Sequence, residues 1–125
     1  MADRRPFPDA RSRSVDQLVT LLDSDFLRAL TEPARLELLK VLLRHGPADV
    51  GAIAAHLPQD RSVISRHLKM LDDVGSVRAR REGRHRIYEV DGQAFIASLE
   101  RLLGRAKELA EVCCPPPPPP PRSRE

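Results

Sequence analysis

Two stretches of the chain carry residues able to do chemistry. It ends in "EVCCPPPPPPPRSRE", where Cys113 and Cys114, its only cysteines, stand side by side before seven prolines. Cysteine sulfur binds soft, thiophilic metals and metalloids, and it exchanges with disulfides and oxidants. The second stretch, "VRARREGRHR", sets Arg78, Arg80, Arg81, Arg84 and Arg86 against one acid, Glu82. Such local positive potential attracts phosphate backbones; the same composition with no partner is only a solvated arginine-rich loop. The elements around each stretch decide between these readings.

A chain of 125 residues, 41% apolar and 31% charged, builds one domain with a modest core. No apolar run approaches the roughly 20 residues of a membrane span. The N-terminal "MADRRPFPDARSRS" has charge but no apolar segment behind it. These features predict a cytoplasmic protein with no membrane partner, whose thiols are kept reduced. Neighbouring cysteines make a poor structural staple.

Residues 1–14 are polar and unpatterned and read as a flexible arm, ahead of a single domain over 15–114. Helical spacing starts at Val15 and continues through Leu18, Val19, Leu22, Phe26 and Leu30. Thr31 is placed near the N-cap of the next helix, with Pro33 in its first turn and Leu36, Leu39, Val41, Leu42 and Leu43 along it. Gly46 and Pro47 stop it. Asp49 caps a shorter helix from Val50 to about Leu57, and Pro58 ends that one. Asp60 caps "RSVISRHLKMLDDV", with Ile64, Leu68 and Leu71 inward and Gly75 at its end.

The period then changes to two. Val77 and Ala79 alternate with arginines, and Ile87 and Val90 are assigned to a covered face, with Gly83 in the tight turn between the strands. A last helix from Ala94 to Val112 offers Phe95, Ile96, Leu99, Leu102, Leu103, Ala106 and Leu109. The segment 115–125 is a polyproline and charged tail, unable to join a helix or sheet.

Helices, a helix pair joined by a tight turn, a basic hairpin and a closing helix make a mainly α fold with a small β-hairpin, a winged helix-turn-helix. In that fold the second helix of the pair enters the major groove of DNA. Core spacing leaves Arg61, Ser62, Ser65, Arg66 and Lys69 facing outward, side chains suited to guanine edges and phosphates. The hairpin, with Arg81 and Arg84, lies along the adjacent backbone. No Gly-X-Ser-X-Gly elbow, phosphate loop or Cys-X-X-Cys beside a βαβ pattern is present, so neither an enzyme nor a catalytic cofactor is expected.

"TEPARLELLKVL", "IAAHL", "SVISRHLKMLDDVGSV" and "REGRHRIYEV" together resemble the ArsR/SmtB family of bacterial repressors, from about Leu27 to Leu109. The resemblance implies a homodimer joined through its first and last helices, operator DNA as partner, and an inducer that releases it. Two metal sites of the family do not carry over. The Cys-Val-Cys position reads Asp49, Val50 and Gly51. On the closing helix Asp91 matches, but the other positions read Gln93, Gly104 and Lys107. His45, His56, His67 and His85 share no ligand spacing.

Adjacent residues on a helix point about 100° apart, so the two sulfurs would not converge there. Pro115 disfavours helical backbone at Cys114 and releases the helix end, which lets both sulfurs turn together. The pair then suits trivalent arsenic. Some arsenic-responsive members of the family carry adjacent cysteines at this end of the closing helix. This chain has no third cysteine, so the pair matches methylarsenite, with two exchangeable positions, or arsenite completed by a non-protein ligand. Four thiolates from two tails would also suit cadmium, lead or zinc. Two other readings stay open: the cysteines are inert at a helix end, or the regulator senses oxidants, reactive sulfur or another signal.

Overall fold

The computed structural model describes residues 9–114 and 116–123. Among them the elements run α1 (Asp9–Leu22), α2 (Asp25–Thr31), α3 (Pro33–His45), α4 (Val50–Ala54), α5 (Arg61–Asp73), β1 (Val77–Glu82), β2 (His85–Val90) and α6 (Gly92–Cys113).

The N-terminal half departs from the sequence reading in three places. First, α1 begins at Asp9, within the segment expected as an arm; residues 1–8 lie outside the described residues. Asp9 puts an acid in the first turn, where the helix terminus favours negative charge, and "DARSRS" holds no glycine or proline to interrupt it. Second, the apolar series from Val15 to Leu30 is split. Ser24 caps α2, its Oγ accepting from the Leu27 N–H at 3.4 Å. Third, Thr31 ends α2 instead of capping α3, and its Oγ1 donates to the Arg28 carbonyl at 2.9 Å. Glu32 takes the N-cap position without a side-chain bond, and Pro33 opens α3 where a missing N–H costs nothing.

The core lies between α3, α4, α5 and the hairpin. Leu38, Ile53, Ile64, Leu68, Leu71 and Val77 are fully buried, and Ala29, Leu39, Leu42 and Tyr88 complete the cluster. Each such leucine or isoleucine contributes roughly 1.5–3 kcal/mol by leaving water. The three inward positions expected of α5 are buried as read. In α3 the core uses Leu38, which the spacing argument passed over, while Leu36 and Leu43 remain 47% and 70% exposed.

The hairpin pairs Val77 with Val90, Ala79 with Tyr88 and Arg80 with Ile87. Tyr88 and Val90 therefore share the covered face with Val77 and Ala79. Ile87 lies across from Arg80 on the other face, which corrects its assignment to the core. Alternation forbids Ile87 and Val90 from sharing a face, and Tyr88 is the larger group to bury. Gly83, at φ 61°, supplies the left-handed backbone that a two-residue turn needs.

The terminal helices α1 and α6 pack on each other, and neither holds a fully buried residue. Arg105 Nη1 reaches Gln17 Oε1 at 3.3 Å, and Phe26 of α2 meets Phe95 of α6 edge-on at 5.6 Å. Val19, Leu22, Ile96, Leu99 and Leu103 stay exposed along this pair. Among the described residues no helix is long and apolar enough to cross a membrane. Residues 116–123 form no helix or strand.

Candidate nucleic-acid interface

Caps set the ends of the helix pair. Asp49 Oδ1 accepts from the Ala52 N–H at 2.8 Å to start α4, and Asp60 Oδ1 accepts from the Val63 N–H at 3.2 Å to start α5. Both carboxyls are held below the usual carboxylate range, chiefly by these backbone bonds. With Ile64, Leu68 and Leu71 buried, α5 turns Arg61, Ser62, Ser65, Arg66 and Lys69 to solvent. They form one surface. Ser62 Oγ donates to Asp60 Oδ1 at 3.0 Å, and Lys69 pairs with Asp73 at 3.5 Å, one turn along.

The hairpin sorts its arginines. Arg78 Nε and Arg80 Nη1 each lie 3.0 Å from Glu89 Oε1. Glu89 is held below the usual carboxylate range, first by its bond from Arg78 and then by Arg80. Arg86 approaches Asp72 of α5 at 3.9 Å and lies over the Tyr88 ring at 5.7 Å. Arg81 and Arg84 are exposed at the hairpin tip and, like Arg66, make no ion pair among the described residues. Positive charge without an internal partner is what a phosphate backbone can recruit. Sequence reasoning missed Glu89, although a two-residue turn at Gly83 already sets Arg78 opposite it.

The closing helix α6 releases at Cys114, whose backbone (φ −140°, ψ 74°) is no longer helical. Cys113 and Cys114 are joined as a disulfide between chain neighbours. Leaving the helix turns the second sulfur toward the first. Among the described residues no group of three or more His, Cys, Asp or Glu could hold a metal ion. His45 and His56 are neighbours after all, stacked at 4.1 Å with 16° between their planes. Stacked rings face each other and do not converge on an ion.

A sequence profile described as "Bacterial regulatory protein, arsR family" matches residues 32–79, from the start of α3 into β1. A solved structure of a possible transcriptional regulator for arsenical resistance is 37% identical, with a TM-score of 0.57 over 71% of this chain and 93% of that one. The chain belongs to the arsR family. Two further relatives are named as transcriptional regulators. The chain is 39% identical to an HTH-type transcriptional regulator of Mycobacterium tuberculosis over 51% of its length. It is also 39% identical to a probable mercury resistance operon repressor of Streptomyces lividans, over 62% of its length. It spans 63% and 60% of those two relatives. A homodimeric winged helix-turn-helix DNA-binding domain from Mycobacterium bovis, a possible ArsR-family regulator, is 26% identical, with a TM-score of 0.54 over 87% of this chain and 96% of that one. The fold is the winged helix-turn-helix of this arsR-family group, whose members are transcriptional regulators and not enzymes.

Proposed function

We propose that the chain is a cytoplasmic homodimeric repressor that binds operator DNA and is released by a thiophilic metalloid at Cys113 and Cys114. The observation that carries the DNA reading is the single exposed surface of α5, flanked by the unpaired Arg81 and Arg84. Arg61 and Arg66 read base edges, Ser62, Ser65 and Lys69 hold phosphates or base oxygens, and the wing arginines track the backbone. Dimerisation through α1 and α6 would cover the apolar residues that those helices leave exposed.

Support for a metalloid inducer is the approach of the two sulfurs where α6 ends, together with relatives named for arsenical and mercury resistance. The disulfide must first accept two electrons and two protons from two equivalents of a cellular thiol, which leave joined as their own disulfide. Each reduced sulfur then displaces a hydroxyl of methylarsenite, two As–S bonds form and two waters leave. Gathering the sulfurs reorganises the end of α6, and with it the spacing of the two recognition helices across the dimer. That spacing must match one helical turn of DNA, about 34 Å. The disulfide itself favours a second reading, in which the pair responds to oxidants such as a peroxide, whose two-electron reduction to water joins the sulfurs. A gel shift on the promoter of its own gene, with protein that has been reduced and then freed of reductant, titrated with arsenite, methylarsenite, cadmium, zinc and peroxide, tests both. Release by none of them overturns the inducer site. No retarded complex at all overturns the DNA reading.

A further inference from the structure

Asp49 lies where α4, α5 and the hairpin meet. One carboxylate oxygen caps α4, and the other, Oδ2, stands 2.9 Å from His85 Nδ1 on β2. Arg61, the first residue of α5, adds to the field that keeps this carboxyl ionised, behind the Ala52 N–H and His85. Arg61 passes over the first turn of α4 because Gly51 has no side chain. A Cβ there would lie 3.0 Å from Arg61 Nη2, 3.4 Å from its Cζ and 3.6 Å from Asp49 Oδ1. Gly51 is not among the glycines with positive φ, so the backbone does not require glycine at this position. What it provides is room. Glu82, the cross-strand neighbour of His85, is turned to Arg80 at 3.6 Å and leaves His85 to Asp49.

We propose that Asp49 is a positioning residue for sequence recognition: it bonds the wing directly through His85 and, without an ion pair, attracts the Arg61 guanidinium at the start of the recognition helix, which lies in the cradle left by Gly51. This rests on the operator-binding reading above. An acid beside a phosphate-seeking arginine, taken alone, lowers affinity for every DNA sequence alike. An exposed arginine also has large rotamer freedom, and ordering it before contact removes part of the cost of binding in one geometry. The two effects differ in what they discriminate. Repulsion acts on all duplexes, whereas positioning acts on the duplex whose bases Arg61 reads.

Two variants of the full chain separate them. Asp49→Asn keeps a good N-cap and removes the charge. Gly51→Ala introduces a better helix former while closing the cradle, and the displaced group is the far end of a flexible side chain. The probes are the duplex that the unmutated protein enriches from a randomised library and a scrambled duplex of the same composition. In both variants the ratio of affinities for the two duplexes should fall roughly tenfold, the scale of one lost base contact, with no drop in melting temperature or in scrambled-duplex affinity. An unchanged ratio in both variants overturns the proposal and leaves the operator reading standing. Equal losses on both duplexes with a lower melting temperature overturn it too, reducing Asp49 to a helix cap. Enrichment of no sequence by the unmutated protein overturns the operator reading and this inference with it.

Discussion

Ala48 and Tyr88 exchange two backbone hydrogen bonds: the Ala48 N–H donates to the Tyr88 carbonyl at 3.0 Å, and the Tyr88 N–H donates to Ala48 at 2.9 Å. This bridge fastens the hairpin to the segment just before α4, and the buried Tyr88 ring anchors it in the core. Replacing Tyr88 with alanine should cost about 3 kcal/mol, since it removes a large buried ring from the core cluster. Urea denaturation checks this. A loss under about 1 kcal/mol would mean that the wing is not packed as described.

DNA contacts divide by kind. Arg66→Ala should weaken binding to the preferred duplex by about 1–3 kcal/mol if Arg66 reads a base, and Arg84→Ala should weaken all duplexes alike and reduce the salt slope by about one. Fluorescence anisotropy across a salt series separates these outcomes. Identical salt slopes and affinities in both variants would rule out the proposed docking.

Leu99 and Leu103 lie one turn apart on the exposed side of α6. Leu103→Glu should convert a dimer at micromolar concentration into monomers, because each protomer would bury an unpaired charge in an apolar interface. Sedimentation velocity reads the result directly. An unmutated protein that already sediments as a monomer would remove the interface.

Acid should loosen the helix pair. The Asp60 carboxyl is depressed in the folded chain, first by the Val63 N–H and then by Ser62. A depressed carboxyl contributes stability above its unfolded value, about 3.9, and that contribution is lost as pH falls through the folded value. Melting temperature should therefore decline below about pH 4, and Asp60→Asn should shallow the decline while retaining the cap. Parallel curves for the two proteins would deny Asp60 this role.

Cys114→Ser should abolish release by methylarsenite under reducing conditions and leave DNA affinity unchanged, since a single sulfur cannot chelate. Pro115→Ala should weaken the response by letting α6 continue through Cys114. Normal release from a Cys113→Ser, Cys114→Ser double variant would place the inducer elsewhere.

Local chemistry was enough for the helix pair and the hairpin turn. Asp49 and Asp60 are caps by residue type, Ile64, Leu68 and Leu71 share a face by spacing, and Gly83 marks a two-residue turn. In each case the deciding interaction spans four residues or a single helix face, and the sequence alone displays it. The misread positions needed partners from elsewhere in the chain. Val15 to Leu30 carries a helical period through Ser24, and only the formed cap shows the break. Ile87 and Tyr88 are both apolar enough to face inward, and pairing with Ala48 and Ala79 chose Tyr88. Leu38 fills the core where Leu36 was expected, because α4, α5 and the hairpin together decide which stripe of α3 is covered. The meeting of Asp49, Arg61 and His85 joins residues 36 positions apart in the chain, from Asp49 to His85. Local pattern records which side chains could bond; only packing brings the distant Asp49 carboxylate and His85 imidazole within reach of each other and sets the Arg61 guanidinium beside Gly51.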